Sequence, residues 1–552
     1  MNRPRSLGSQ PAGFAFRLAL GNSLAFGAAL LALAAVVTPA AQAESVLRSG
    51  HSGEPDSLDP HLAISAPSVI VLTDLFEGLM TFDARGQPIP GAAERYSVSR
   101  DGLVYTFTLR RGLTWSDGTP LDSADFLYSF RRLADPATAS TSLAAYVNLL
   151  KGGQAILARQ QPPTSLGVST PDPLTVRIEL AHPAPYFPTV VALPTLAPVP
   201  RHAIEKSGHA WARPANFVGN GPFVLAEWVP NGYLKLVRNP RFHDAAHVKL
   251  DAVVYRPVAD LDVGLRLFET GELETLTNFP PEKLEDIRKS LPGSLHLAPS
   301  LGVTVYLFNE RLPKFRDPRV RRALSLAIDR EALTTRIVRS GDRPAYGLVT
   351  PSMHGYTAPP LPAVPASASA RVAAARALLT AAGYGPQHPL EIEILHATSE
   401  EHARVAVAVA SMWQAIGVKV KLRNAERQIV EVATRNGEFD VVRAAWFSPF
   451  EDPEGVLSFL RSGSPLNPTG YANPAFESLM AQADATVDAT ARLALLARAE
   501  KVLIDDQAVL PLYFLVSRRL VAPRVAGWRE DNLTAFHPDR WLSLTANPGT
   551  SR

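Results

Sequence analysis

The chain contains no cysteine. That excludes disulfides, thiolate metal sites and cysteine nucleophiles, and with them a lipidated N-terminal cysteine. Hydrolase signatures are missing as well. Gly-x-Ser-x-Gly, His-Glu-x-x-His and Ser-x-x-Lys with its companions form no supported set, and Gly50-His51-Ser52-Gly53 lacks the nucleophile-elbow spacing. His51, His61 and His402 show no metal-ligand spacing, so no metal or cofactor is expected. Beyond residue 43 no apolar run reaches membrane-spanning length. Residues 1–43 hold three arginines and no acidic residue, so the formal charge of +3 falls to zero without them. The basic pI of about 9.0 therefore implies no nucleic-acid partner.

What is present begins with a secretory pattern. Arg3, Arg5 and Arg17 form a basic start without a twin arginine, an apolar run follows to Val37, and Ala41-Gln42-Ala43 supplies a small-x-small cleavage site. The mature chain is expected to begin at Glu44. A secreted chain with no lipid anchor is expected free in a Gram-negative periplasm. The full length of 552 residues exceeds one core and predicts two or more domains. The 48 prolines predict long, stiffened connections, with six of them in 183–200.

The first part reads as α+β. Tyr105–Leu109 alternates as a half-buried strand, Trp115-Ser116-Asp117-Gly118-Thr119-Pro120 is turn chemistry, and Ser123 is placed to cap a helix. From about 301 the pattern changes. Asp317-Pro318 opens a helix, Ser369–Gly383 is a second, Glu391–Ala397 a strand, Glu400–Ile416 a helix closed by Gly417, and Val418–Leu422 a strand. A helix over about 427–435 and a strand over 439–445 follow. These β-α-β units predict an α/β lobe with a mainly parallel sheet. Arg319, Arg321, Arg322 and Arg330 read as a solvated helix face. A C-terminal helix is expected over about 484–505, and the apolar strand after Val509 is expected to cross back to the first lobe.

Several blocks resemble the solute-binding proteins of peptide ABC transporters, the oligopeptide- and dipeptide-binding family (family 5). They are Gly53–His61, Asp74–Leu79, Trp115–Pro120 with Ala124-Asp125-Phe126, Val218–Phe223, Arg238-Asn239-Pro240, Asp317–Leu324, Ala382-Gly383-Tyr384 and Phe439–Pro453. They run in the family's order across nearly all of the mature chain. The resemblance implies a two-lobed α/β fold of the type II periplasmic-binding (Venus-flytrap) kind with an extra small α+β domain. Domain I would comprise 44–76, 200–301 and 517–552, domain II 77–199 and domain III 302–516. It also implies a monomeric receptor, not an enzyme, that takes a short peptide or peptide-like solute into an interlobe cleft. The receptor would then deliver it to an ABC transporter permease.

The same resemblance nominates site residues. Main-chain contacts to a peptide would come from Ile64, Ser65, Ala66 and Pro67 and from the strand Ala445-Trp446-Phe447. The ligand carboxylate would be met by His402, Arg435 and Arg443, arginine being suited to bidentate pairing. The family's peptide binders place an aspartate for the ligand ammonium three residues after the tryptophan, where this chain has Pro449. Either Glu451 or Asp452 takes over that contact, or the ligand lacks a free N-terminus there. Asp452-Pro453 also reads as a helix start. Three readings stand at this point: a peptide receptor, the same fold binding an N-blocked or non-peptide solute such as an opine, a metal complex or an antibiotic peptide, and a secreted hydrolase.

Overall fold

The computed structural model describes residues 44–140, 144–361, 365, 367–448, 450–464, 466–534 and 537–546, with the side chains of 144 and 145 set aside. The expected signal segment 1–43 and Pro449 lie outside the described residues. In chain order, β1 is Val46–His51 and α1 is Ala66–Leu75. A small four-stranded antiparallel sheet follows, made of β2 (Ala93–Val98), β3 (Val104–Leu109), β4 (Val168–Asp172) and β5 (Thr175–Glu179), with α2 (Ser123–Ala134) against it. The chain then adds β6 (Phe223–Val229), β7 (Tyr233–Arg238), β8 (Ala252–Pro257) and β9 (Thr275–Leu276) beside β1.

The second half begins with β10 (Leu295–Phe308) and α3 (Pro318–Ala327). It continues through β11 (Glu391–Ala397), α4 (Glu400–Gln414), β12 (Lys419–Ala425), α5 (Arg427–Asn436) and β13 (Val441–Phe447), and ends with α6 (Ala489–Asp506) and β14 (Val509–Val521). One large sheet joins both halves in the order β12-β11-β13-β10-β14-β9-β1-β8-β7-β6. The junction is the pair β10–β14, whose two strands are long because each serves both halves. Their register slips between Pro299 and Val303, a bulge that bends and twists the ribbon. The boundaries expected at 301/302 and 516/517 fall inside these two continuous strands. The small domain has its own sheet but shares one apolar core with its neighbour: Phe107, Phe126 and Ile178 pack in the same cluster as Leu47, Leu72 and Phe223.

The expectation of a mainly parallel sheet is corrected. β11 runs parallel to β12 and β13, as the crossovers α4 and α5 require, but β10 and β14 are antiparallel to their neighbours because they come across from the other half. Local signals set most boundaries. Asp317 caps α3 by accepting from Arg319 N, and Gly417 takes φ +92 just past α4. The cap expected at Ser123 is instead Asp122, which accepts from Ala124 N at 2.8 Å while Asp125 accepts from Asp122 N at 3.1 Å. The C-terminal helix expected over about 484–505 is α6, whose start is set by the Asp488 carboxylate accepting from Ala491 N; a separate helix, Pro474–Asp484, precedes it.

The arginine face is corrected too, because two of its members are buried. Arg321 donates to the carbonyls of Phe315, Asp506 and Gln507 and pairs with Glu310 at 3.0 Å; Arg330 donates to Pro511 O and Ser325 O. Arg321 ties the end of α6 to α3 and Arg330 ties β14 to the last turn of α3, a use no helical periodicity encodes. Close packing also fixes α1: a Cβ on Gly221 would stand 2.5–2.6 Å from backbone atoms of Asp74, Leu75 and Phe76. Gly221→Ala is accordingly expected to lower stability by roughly 1–3 kcal/mol, as overpacking does. An unchanged urea midpoint would contradict this.

Candidate functional site

Strand β13 carries the site because only part of it is paired on both edges. Against β10 it pairs along its whole length, from Val441↔Phe308 to Phe447↔Gly302. Against β11 it pairs only at Val441 and Val442. From Arg443 to Phe447 the outer edge has no strand against it among the described residues. β11 there pairs with β12 alone, through Ala397, before α4 begins at Glu400, and exposure rises along one face from Arg443 through Ala445 to Phe447, which is 58% exposed. An unpaired strand edge beside exposed side chains is a template for an extended chain. Trp446 points to the opposite face, where its ring meets Phe459 edge-on at 5.5 Å.

The charged end of this edge is built around Arg443. Its Nη2 donates to Tyr513 Oη at 3.3 Å and lies 3.4 Å from Glu401 Oε1; Tyr513 Oη in turn donates to Glu401 Oε1 at 3.1 Å. Tyr306 and Thr304 occupy the same face of β10, directly across from Arg443 and Ala445. Arg443 Nε, Tyr306 Oη and Thr304 Oγ1 are buried without a hydrogen-bond partner. Tyr306 and Thr304 are sealed in the core, with Tyr306 edge-on to Trp413, and three unpartnered polar atoms so close together are costly there. His402, on the first turn of α4, is pushed down to about 4 by burial and by the Arg443 charge, so at neutral pH it is an uncharged ring. Its Nδ1 lies 3.3 Å from Ala397 O. Burial pushes Tyr513 up to about 12, and it remains a phenol.

The remaining residues nominated by the sequence lie in different settings. Ser65 caps α1, and Ala66 and Pro67 open that helix. Ile64 N and Ser65 N both donate to the Asp56 carboxylate, at 3.1 and 3.0 Å, so those two amides are engaged within the loop. The Ile64 side chain stands 73% exposed. Arg435 is exposed on the last turn of α5, outside the contacts of the Arg443 cluster. Glu451 is held on both sides: Oε2 accepts from Gln87 Nε2 at 2.8 Å, and Oε1 accepts from His354 N at 2.7 Å and lies 2.6 Å from His354 Nδ1. Asp452 is buried, receives Arg492 Nη1 at 2.6 Å, and caps the next helical turn through Glu454 N at 2.9 Å. Neither carboxylate reaches the outer edge of β13 unencumbered.

Three members of the Arg443 cluster escape a sequence reading. Glu401 sits next to a nominated histidine but looks like an ordinary first-turn acid. Tyr513 lies inside a strand that reads as apolar, and Tyr306 lies in a segment for which no strand is expected. The pairing of β10 with both β13 and β14 brings Tyr306 and Tyr513 beside Arg443, and the first turn of α4 adds Glu401.

Residues 87–468 match the bacterial extracellular solute-binding proteins, family 5, middle region. The chain is 37% identical over 492 residues to the periplasmic oligopeptide-binding protein OppA of Escherichia coli, covering 88% of this chain and 90% of that one. It is 37% identical over 481 residues to the periplasmic murein peptide-binding protein MppA of the same organism, covering 87% and 89%. The solved structure of Burkholderia pseudomallei OppA superposes with a TM-score of 0.80 at 33% identity, covering 92% of this chain and all of that one.

Proposed function

The chain belongs to the family 5 bacterial extracellular solute-binding proteins, and on that premise we propose that it captures short peptides in an interlobe cleft in the periplasm and hands them to an ABC transporter permease. The observation that carries the reading is the open edge of β13 from Arg443 to Phe447. A peptide backbone lying there gains main-chain hydrogen bonds whatever its side chains, the economy that a receptor for varied sequences needs. No bond is made or broken, and ligand acts by favouring a closed arrangement of the lobes. The register slip in β10 between Pro299 and Val303 is the bending point of that motion, and the lobes are those with boundaries at 76/77, 199/200, 301/302 and 516/517. The receptor works as a monomer from which residues 1–43 have been removed.

Within the site, Ala445 and Phe447 present backbone to the peptide, Arg443 and His402 form its polar end, and Arg435 is a peripheral cation. Ile64 to Pro67 form the facing wall through their side chains and carbonyls, since the Ile64 and Ser65 amides serve Asp56. Glu451 and Asp452 act as structural carboxylates.

Protein purified from a periplasm and denatured should release a mixture of short peptides by mass spectrometry. A single non-peptide species would overturn the reading. A backbone test is independent of sequence. Methylating one amide of a bound tetrapeptide that faces the β13 edge should weaken binding by about tenfold, the worth of one hydrogen bond. Methylating its neighbour, which points away, should change it less. Equal effects at all positions in calorimetric titrations would argue against an edge-bound peptide.

A further inference from the structure

We propose that Glu401 is a specificity-determining residue: by neutralising Arg443 it selects against peptides whose C-terminal carboxylate lands at this end of the cleft, and for peptides long enough to carry that carboxylate past it. The inference rests on the cleft reading above and deepens it.

The charges facing the cluster decide the matter. Arg443 brings one positive charge and Glu401, 3.4 Å away, one negative. His402 adds none at neutral pH because burial and Arg443 hold its ring deprotonated. On the far side Arg518 Nη1 donates to Ser340 O at 3.3 Å and stands 4.0 Å from Asp342 Oδ2, while Asp342 also accepts from Val516 N at 2.8 Å. That second pair is likewise matched within the protein. A carboxylate arriving at Arg443 therefore meets no surplus positive charge.

Exposure and bonding point the same way. The Arg443 side chain is 10% exposed and that of Glu401 32%, so the anion is the outer partner. Of the guanidinium donors, Nη2 serves Tyr513 and Glu401, and Nε is sealed from solvent. Nη1 has no partner among the described residues and is the donor left for a ligand; a carboxylate bound there would lie beside Glu401, and like charges so close repel in a partly desolvated cleft. An interior peptide unit faces no such repulsion, and its carbonyl can still accept from Arg443.

The test uses the full mature protein freed of bound ligand, with oligoalanines of two to five residues prepared as free acids and as C-terminal amides. For the wild-type protein, at the length whose end reaches Arg443, the amide should bind better than the acid. Glu401→Gln should raise affinity for that acid by about tenfold, the effect of one charge-assisted contact, and leave the amide within about threefold. The inference is overturned if Glu401→Gln shifts acid and amide alike, or neither. Arg443→Gln separates the two levels. If it weakens peptides while Glu401→Gln changes no acid-over-amide ratio, the role of Glu401 fails and the cleft stands. If it leaves every peptide unaffected, the cleft assignment itself fails, and this inference with it. Retained melting temperature in both variants confines the differences to binding.

Discussion

Arg492→Met is expected to lower stability by about 3–5 kcal/mol, the usual result of removing one partner from a buried ion pair. The Arg492 side chain is 3% exposed, its Nη1 lies 2.6 Å from Asp452 Oδ2, and its Nη2 lies 3.7 Å from Glu454 Oε2. Its guanidinium also covers the ring of Tyr186, 4.7 Å from the centroid. Methionine would replace the apolar stem and abolish the charge, leaving the buried Asp452 carboxyl with Glu454 N–H as its one hydrogen-bond partner among the described residues. The same contact ties the α/β half to the small domain, since Phe450 stacks on Tyr186 with centroids 4.9 Å apart. The next residue, Glu451, reaches Gln87 in the small domain. The loss should therefore appear in urea unfolding and also as faster proteolysis of 450–454. Adding Asp452→Asn to Arg492→Met should recover much of the loss, because the stranded charge is then gone. A single variant as stable as wild type, or a double variant no better than the single, would show that the pair is not the source of stability.

This pair also marks the limit of what the sequence could convey. Starts and stops of helices were legible because each rests on neighbours within four residues: Asp317 for α3, Gly417 after α4, Asp452 before the short turn at Glu454. Strand β11 was legible to the residue, since Glu391–Ala397 alternates between flanking breaks. The partner of Asp452 is forty positions away, and nothing in either segment names the other. The same holds for Arg321, whose acceptors at 506 and 507 become neighbours only when α6 ends beside α3. In the site, Arg443, Trp446 and Phe447 could be nominated by resemblance. The open edge that gives them a purpose arises from where β11 stops pairing, a tertiary fact. The large sheet joining both halves was hidden for a related reason. The strand after Val509 is expected to cross back to the first lobe and does so as β14, but no strand is expected at β10, whose pairings with β14 lie more than two hundred residues apart.

Asp74→Asn is expected to flatten the pH dependence of stability and to make the protein more stable than wild type at pH 8. Asp74 and Asp539 are both buried, and Tyr255 Oη lies within hydrogen-bonding distance of each, at 2.8 Å from Asp539 Oδ2. Asp539 N also donates to Asp74 Oδ1 at 3.1 Å. One phenol hydrogen cannot serve two carboxylates, so one contact needs a carboxyl proton. Burial, and then the charge of Asp539, raise Asp74 well above the ordinary 3.8; burial likewise pushes Asp539 up to about 6. The other titratable groups facing the pair are Arg519, His51 and His537. Arg519 stays cationic, and both histidines are held neutral by burial. Folding thus takes up protons. Their stabilising effect is complete below about pH 4 and is lost as pH rises through about 6. An offset from 3.8 to about 6 corresponds to roughly 3 kcal/mol. Asparagine at 74 supplies a fixed hydrogen toward Asp539 and removes one charge, so Asp539 can ionise unopposed beside Arg519. Melting temperatures of both proteins between pH 5 and 8.5 decide it: the wild-type curve should fall more steeply with pH than that of the variant. Parallel curves would mean that the pair carries no proton of consequence into the folded state.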